Sequence, residues 1–331
     1  MHTCHRLPVE IAGLGSYLPE RILTNQDLEE MVNTSDEWIY PRTGIKERHL
    51  LAEDEATSDM AVAAARDALE AASMTAAELD AIVVATSTPD HSFPATACLV
   101  QAALGAQDAM AFDLEAACSG FVFAFSWSAG ILASGMARNV MVIGAEALSR
   151  CTDYTDRRSC ILFGDAAGAA VLRPAQNGSE VIYSEMGSDG SWPEILILPA
   201  GGSRRPASHQ TVDDRLHYMK LQGREVFKLA VNKMTELLQR LPELTGVSLD
   251  EIKMVIPHQS NVRIIKSAFE RAGMDLGKAY MNIERVGNTS AASIPLAMTE
   301  AVENGQLERG DLVLFLAFGG GLTWASTLIR Y

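Results

Sequence analysis

The chain has 331 residues, of which 48% are hydrophobic, and carries a net charge of −15 with an isoelectric point of about 4.9. This acidity argues against nucleic acid or an anionic membrane as a partner, and no apolar run is long enough to cross a membrane. The first residues, MHTCHRLPVEI, lack the apolar stretch of a signal peptide, so we expect a cytoplasmic protein. The five cysteines are not closely paired, which argues against a disulfide framework and against a structural zinc site; they are Cys4, Cys98, Cys118, Cys151 and Cys160.

Apolar strands alternate with amphipathic helices through the first half of the chain. The predicted strands are Val9–Leu14, Ala81–Ala85, Met110–Leu114, Asn139–Gly144 and one that follows a glycine-rich turn within Gly164–Leu172. The predicted helices are Asn25–Val32, Ser58–Ala72, Pro94–Leu104 and a buried helix that follows Cys118 and ends near Gly135. Such alternation is typical of an α/β protein.

The second half follows the same order after an excursion over residues 174–216, which is rich in Gly, Ser, Pro and charge. The predicted strands are Glu251–Pro257, Ala279–Ile283, Asp311–Phe318 and Thr323–Ile329, and the predicted helices are Glu225–Leu241, Asn261–Ala272 and Thr289–Glu303. Cys118 lies 38 residues after Asp80, and Asn288 lies 37 after Glu251. This agreement predicts two similar α/β halves with mixed, parallel-rich sheets packed in layers, residues 1–174 and residues 175–331.

Three residues with chemical potential follow predicted strands, where ligands bind in such sheets. Cys118 lies between a strand and a helix, where N–H groups and the helix dipole would stabilise a thiolate. His258 directly follows the EIKMVIP strand, and we expect Asn288 to occupy the position of Cys118 in the second half. Each has an ordinary structural interpretation, as a packed thiol, a core histidine or a helix cap. Their convergence near the Phe318–Leu322 glycine turn favours a catalytic site.

At these residues the sequence resembles the β-ketoacyl-acyl-carrier-protein synthase III family of the thiolase-like fold. The segments that carry the resemblance run nearly end to end: SDEWIYPRTGIKERH, PDHSFPATAC, EAACSGF, TDRRSCILFGDAAGAAVL, IPHQSN, GNTSAAS and AFGGGLTW. The resemblance implies a Cys–His–Asn triad formed by Cys118, His258 and Asn288. Thiolases would place a second cysteine near the final glycine loop, and chain-elongating synthases would have His where Asn288 stands. Plant-type polyketide synthases share the triad but are longer and end in a different glycine loop.

The resemblance implies that an acyl-CoA acylates Cys118 and that malonyl-acyl-carrier protein then loses CO₂ and condenses with the acyl group. No permanently bound cofactor and no metal is implied, since the CoA thioester is a substrate. In this reaction the N–H groups of Cys118 and Gly320 would bind the oxyanion, while His258 Nε2–H and the Asn288 amide would donate to the enolate.

The family pattern also places CoA, carrier-protein and acyl contacts on this chain, and it implies a homodimer. The positions matching the CoA tunnel are Trp38, Arg42 and Arg157, while Arg224 stands where the family commonly has Asn. The carrier-protein contacts would be Gln259, Arg263 and Lys266, and Phe93 matches a residue that lines the partner's acyl pocket.

Three alternatives stay open at this point. The same triad serves related acyltransferases that pass the acyl group to an alcohol or amine, and polyketide-type condensing enzymes that use another acyl-CoA. A non-catalytic partner subunit is a third alternative, but such a protein would be expected to have lost its nucleophile, and Cys118 is present with both partners. No sequence motif indicates the acyl-chain preference, because the depth of the acyl pocket depends on side-chain rotamers and on the dimer contact.

Overall fold

The computed structural model describes residues 6–331, so Cys4 lies outside the described range. The strands are β1 (Val9–Tyr17), β2 (Arg21–Thr24), β3 (Glu47–Leu50), β4 (Ala81–Ala85), β5 (Met110–Leu114), β6 (Val140–Glu146), β7 (Ala166–Pro174), β8 (Glu180–Ser188), β9 (Leu196–Ile197), β10 (Lys220–Leu221), β11 (Met254–Pro257), β12 (Leu312–Gly319) and β13 (Thr323–Arg330). The α-helices are α1 (Asn25–Met31), α2 (Asp36–Thr43), α3 (Thr57–Ala72), α4 (Thr96–Leu104), α5 (Gly120–Ala133), α6 (His209–Asp213), α7 (Gly223–Thr245), α8 (Val262–Ala272), α9 (Ile283–Val286) and α10 (Ser293–Glu303).

Two mixed sheets organise the molecule. The first has the order β1-β7-β6-β4-β5, with parallel pairing of β6 to β4 and of β4 to β5. The second has the order β11-β12-β13-β8, with parallel pairing of β11 to β12 and antiparallel pairing elsewhere. The two sheets repeat the same arrangement, except that the second lacks a counterpart of β5. The predicted α/β fold of two similar halves is confirmed.

Buried apolar clusters show how these sheets are layered. One cluster joins both sheets through α5 and α10, which lie between them. A second covers the outer face of the first sheet with α3 and α4, and a third covers the outer face of the second sheet with α7 and α8. Burial of apolar surface on both faces explains why β4, β6 and β12 are almost wholly apolar.

The small residues of α3 allow that helix to approach the first sheet closely. A Cβ atom on Gly13 of β1 would lie 2.2 Å from the Ala68 carbonyl oxygen, and one on Gly15 would lie 2.3 Å from that of Ala64. Side chains larger than Gly and Ala at this interface would separate the helix from the sheet.

The predicted strand Ala279–Ile283 is wrong. Only Ala279 bridges to Val255 of β11, and the chain then turns into the short helix α9. The Asn282 side-chain amide donates to Glu300 Oε2 at 3.0 Å, and this contact with α10 holds the segment away from the sheet edge. The second half therefore ends its sheet at β11.

The predicted excursion over residues 174–216 contains β8, a strand that the sequence analysis missed. Val181, Ile182 and Tyr183 of β8 are buried, whereas most of its later residues are partly exposed. Because β8 is an edge strand, it shows only a short apolar run, and its polar half resembles a loop in sequence.

Candidate active site

Cys118, His258 and Asn288 are each held at the end of a strand or the start of a helix. Cys118 lies in a 3₁₀ turn between β5 and α5, and His258 directly follows β11. Asn288 lies between α9 and the 3₁₀ turn that precedes α10. Its N–H donates to the Leu162 carbonyl at 2.8 Å, and its carbonyl accepts from Gly164 N–H at 3.0 Å. All three side chains are at least 90% buried.

The two halves are related by an offset of 173 residues. β4 begins at Ala81 and β11 at Met254, while α5 begins at Gly120 and α10 at Ser293. The same elements therefore form the same local structure in both halves. This offset allows the counterpart of each site residue to be named.

The predicted equivalence of Cys118 and Asn288 is wrong. Ala117 and Ser290, with φ angles of 47° each, open the two corresponding 3₁₀ turns and lie one offset apart. The counterpart of Cys118 is therefore Ala291, and Asn288 precedes its turn by two residues. The sequence spacing concealed this because it was counted from Asp80 and Glu251, which lie one residue before β4 and three residues before β11.

Two cavities meet at Cys118. Cys118, His258 and Asn288 line one cavity of about 120 Å³, together with apolar side chains from β10, α7 and α8. A second cavity of about 350 Å³ also reaches Cys118 and is lined by Leu148, Cys151 and other residues. Gly320, from the turn between β12 and β13, borders both cavities. An acyl group on Cys118 and a second substrate would therefore be able to occupy different cavities.

The hydrogen bonds of His258 define its resting tautomer. Its Nδ1 lies 2.8 Å from Ser293 Oγ, and that hydroxyl donates to the Ser290 carbonyl at 2.8 Å. A serine hydroxyl has one proton, so both contacts are satisfied only when His258 Nδ1–H donates to Ser293. Burial lowers the His258 pKa to about 3 and keeps the imidazole neutral. In this tautomer Nε2 carries a lone pair, whereas the Nε2–H donor predicted for the enolate requires the proton to be on Nε2.

The Asn288 amide is oriented by its own loop. Its Oδ1 accepts from Ser290 N–H at 2.9 Å, which fixes the side-chain oxygen towards the Ser290 backbone. The amide NH₂ is thereby left as the donor available to the cavity. Because an amide does not titrate, this donor persists at any ordinary pH.

Cys118 is a thiol in the resting site. Burial raises the pKa of Cys118 to about 12, although a hydrogen bond from Ser290 opposes the rise. The predicted stabilisation of a thiolate by the helix start is therefore outweighed by desolvation. A Cβ atom on Gly319 would lie 2.7 Å from the Cys118 nitrogen, so the glycine turn packs directly on the backbone of Cys118. The cavity is therefore lined by a neutral thiol and a neutral imidazole.

Three of the predicted CoA contacts lie together on the surface. The Trp38 ring contacts two guanidinium groups, at 4.7 Å from its centroid for Arg42 and 5.2 Å for Arg157. Arg42 also donates to the Trp38 carbonyl at 2.9 Å. Both arginines are exposed and can offer positive charge to phosphates. Arg224 is exposed near the start of α7, beside Gly223 at the cavity rim.

Of the predicted carrier-protein contacts, Gln259 is wrong. It is fully buried, and its amide donates to the carbonyls of Pro257 at 2.8 Å and Tyr280 at 3.0 Å, so it fixes the loop behind His258. Arg263 and Lys266 are exposed on α8 and border a surface cavity of about 360 Å³.

Phe93 is 86% exposed, which is unusual for a large aromatic side chain. It does not line either cavity of its own chain. Its exposure leaves it free to contact a second molecule.

Three residues close to Cys118, His258 and Asn288 were not predicted from the sequence: Ser290, Ser293 and Glu146. The segment GNTSAAS contains both serines, and its density of small polar residues at a helix start was the available signal. Glu146 is fully buried at the end of β6. No sequence pattern distinguishes it, because burial of a charged residue is a tertiary property.

Neither a membrane-spanning helix nor a metal-binding cluster is present within residues 6–331. Within that range no helix is long and apolar enough to cross a membrane. The same part of the chain shows no group of three or more His, Cys, Asp or Glu side chains arranged to hold a metal ion.

Comparisons with known proteins agree with these features. Residues 112–190 match the family model described as 3-Oxoacyl-[acyl-carrier-protein (ACP)] synthase III, and residues 243–331 match its C-terminal counterpart. A β-ketoacyl-[acyl-carrier-protein] synthase III from Caldanaerobacter subterraneus subsp. tengcongensis is 49% identical over 99% of both chains. One from Solibacter usitatus is 50% identical over 97% of this chain and 98% of its own. The crystal structure of 3-oxoacyl-[acyl-carrier-protein] synthase III from Aquifex aeolicus is 47% identical, with a TM-score of 0.90, and the match covers 98% of this chain and 100% of that one.

Proposed function

Because this chain belongs to the 3-oxoacyl-[acyl-carrier-protein] synthase III family, we propose that it condenses an acyl-CoA, such as acetyl-CoA or another short acyl-CoA, with malonyl-acyl-carrier protein. The products are a 3-oxoacyl-carrier protein, CoA and CO₂, and the reaction initiates fatty acid biosynthesis. The observation that carries the proposal is the convergence of Cys118, His258 and Asn288 on one buried cavity, with the last two fixed by the Ser290 loop.

Acyl transfer begins with the thiol of Cys118. Its proton passes to the lone pair of His258 Nε2, and the sulfur forms a bond to the thioester carbon. The oxyanion accepts hydrogen bonds from the N–H groups of Cys118 and Gly320. The intermediate collapses, and CoA departs as a thiolate that takes the proton from His258 Nε2, so the imidazole is neutral again. The acyl group then occupies the larger cavity.

Decarboxylation follows in the space that CoA has left. The malonyl carbon–carbon bond breaks, CO₂ leaves, and the electron pair becomes an enolate. The enolate oxygen accepts from the Asn288 NH₂ and from His258 Nε2–H, which the neutral imidazole provides when its proton moves from Nδ1 to Nε2. The enolate carbon attacks the acyl-cysteine carbonyl and displaces the sulfur of Cys118. That sulfur takes a proton from solvent and the imidazole returns its own proton to Nδ1, which completes the cycle.

Substrate binding relies on local positive charge, because the chain as a whole is acidic. The Trp38 ring stacks on the adenine of CoA, and Arg42 and Arg157 contact the CoA phosphates. Arg224 adds a positive charge at the cavity rim. Malonyl-carrier protein, which is acidic, docks on the α8 surface that presents Arg263 and Lys266. In this proposal the chemistry comes from the side chains and backbone N–H groups of the chain and from the CoA substrate.

We extend the proposal to a cytoplasmic homodimer in which Phe93 enters the partner's acyl cavity. The 86% exposure of Phe93 supports this contact. Residues 1–174 would form one half, carrying Cys118, and residues 175–331 the other, carrying His258 and Asn288.

The test is intact-mass analysis after incubation with a panel of acyl-CoAs. We expect one acyl group per chain, retained in Cys160→Ala and absent from Cys118→Ala. Adding malonyl-carrier protein should then release CO₂ and a 3-oxoacyl-carrier protein. Acylation of folded Cys118→Ala would refute the nucleophile. Acyl transfer to an alcohol or amine without CO₂ release would instead identify a related acyltransferase.

A further inference from the structure

The larger cavity beside Cys118, of about 350 Å³, has an almost wholly uncharged wall. Much of its lining is apolar and includes Leu148, Leu198 and Met219. Among the described residues of this wall, only Glu115 has a charged side chain, and it is exposed. An exposed carboxylate is negative near neutral pH, so an acyl group that enters the larger cavity meets one negative charge.

Two hydrogen bonds hold the Glu115 carboxylate at this wall. Its Oε1 accepts from the Ser87 hydroxyl at 2.9 Å and from the Ala117 N–H at 3.0 Å. Ser87 and Ala117 also line the larger cavity, and Ala117 directly precedes Cys118. The Ser87 N–H donates to Glu146 Oε2 at 3.1 Å, but Glu146 is fully buried and does not line the cavity. The charge of Glu115 is therefore held next to the turn that carries Cys118.

The smaller cavity, of about 120 Å³, has the opposite electrostatic character. No Asp or Glu of residues 6–331 lines it, and its rim at Gly223 is next to the exposed Arg224. The Arg263 guanidinium lies 5.7 Å from the centroid of the Phe227 ring, which forms part of the cavity wall. The Asn288 NH₂ is a neutral donor inside the same cavity. An anionic group is therefore favoured in the smaller cavity relative to the larger one.

We propose that Glu115 is a specificity-determining residue that excludes acyl groups with a terminal carboxylate from the larger cavity. Neutral acyl groups enter it and acylate Cys118, whereas the malonyl group is directed to the smaller cavity, where Asn288 donates to its thioester oxygen. Two unit charges about 4 Å apart in water-like surroundings repel enough for about a fivefold effect on a rate. This inference rests on the proposed function, because it sorts the two substrates of that reaction.

The first measurement compares alkylation of Cys118 by iodoacetate and by iodoacetamide, which match in shape and differ in charge. Both rates are followed by mass spectrometry of the peptide that contains Cys118. A change in thiol reactivity alters both rates equally, so their ratio reports the charge near the sulfur. Glu115→Gln removes the charge and keeps an oxygen that can accept from Ser87 and Ala117. The iodoacetate to iodoacetamide ratio should rise about fivefold in this variant.

Glu115→Ala is a second variant, which removes the charge together with both hydrogen bonds. Loss of support for the turn affects both reagents, so the ratio should rise as it does in Glu115→Gln. Glu251→Gln is the matched control. Glu251 is exposed, lines neither cavity, and its Oε2 accepts from the N–H and the hydroxyl of Ser248 at 2.8 Å each. The control should keep the parental ratio.

The second measurement compares acylation of Cys118 by malonyl-CoA and by isovaleryl-CoA, in which an isopropyl group replaces the malonyl carboxylate. Intact mass distinguishes the malonyl adduct from the acetyl adduct that would form after loss of CO₂, and only the malonyl adduct is counted. The ratio of malonyl to isovaleryl adduct should rise about fivefold in Glu115→Gln and stay at the parental value in Glu251→Gln.

A rise of both ratios in the Glu115 variants, with Glu251→Gln at the parental ratios, supports the proposal. An unchanged iodoacetate ratio in Glu115→Gln, or an equal rise in Glu251→Gln, overturns it. A rise of the iodoacetate ratio without a rise of the malonyl ratio also overturns it, because the charge would then not select the acyl group. Failure of the proposed function would appear instead as no acylation of Cys118 by any acyl-CoA, and the alkylation ratio does not depend on that result.

Discussion

Ser293→Ala tests the assignment of the His258 tautomer. Ser293 is fully buried, and its hydroxyl links His258 Nδ1 to the Ser290 carbonyl through two contacts of 2.8 Å. The substitution leaves the buried His258 Nδ1–H without a partner, whereas the Ser290 carbonyl still accepts from the backbone N–H of residue 293. An unsatisfied buried group costs about 1–3 kcal/mol, so we expect the free energy of unfolding to fall by about 2 kcal/mol.

The imidazole can relieve part of this cost by moving its proton to Nε2. That tautomer no longer presents a lone pair to Cys118, and acyl transfer is therefore impaired. If the free energy of the Nδ1–H tautomer rises by about 1.4 kcal/mol relative to the Nε2–H tautomer, the acylation rate should decrease about tenfold. The change should appear in single-turnover acylation followed by intact mass, and ¹⁵N NMR of the imidazole should show the proton on Nε2.

Ser128→Ala provides the control for that experiment. Ser128 is fully buried on α5, and its hydroxyl has no hydrogen-bond partner within residues 6–331. The control should acylate at the parental rate. If Ser293→Ala acylates at that rate too, with His258 still protonated on Nδ1, the tautomer argument is refuted.

Asn288→Ala should lower malonyl decarboxylation by about 100-fold, the usual effect of removing one oxyanion donor, and a parental CO₂ release rate would show that Asn288 only shapes its loop. Acylation of Cys118 in this variant should stay within severalfold of normal. Arg263→Glu should raise the KM for malonyl-carrier protein severalfold with a shallower salt dependence, whereas Arg271→Glu, on the same helix but bonded to Asn232, should not; equal loss of acyl-CoA reactivity would contradict the docking role. Gly319→Ala would place a Cβ 2.7 Å from the Cys118 nitrogen, so acylation should be largely lost, and a folded variant with normal acylation would disprove the close packing.

Local sequence patterns were sufficient for most elements and for the three residues that line one cavity, Cys118, His258 and Asn288. The apolar strands AIVVA and NVMVIG and the helix over Ser58–Ala72 correspond to β4, β6 and α3. Periodicity fails where an element is short or lies at an edge. Ala279–Ile283 has a strand-like composition, but the Asn282 side chain is hydrogen-bonded to Glu300 of α10. The polar half of the edge strand β8 resembles a loop in sequence.

The sequence by itself determined the chemical groups and their order: a cysteine before a buried helix, a histidine after a strand, and an asparagine before a second helix. Spacing alone predicted two similar halves, because each half repeats the same local elements. The tertiary structure decided the protonation of the site. Cys118 is a thiol and His258 a neutral Nδ1–H tautomer because burial and the Ser293 contact outweigh the helix start. It also decided that Gln259 is structural. Desolvation and hydrogen-bond partners depend on side chains distant in sequence, so no local pattern could reveal them.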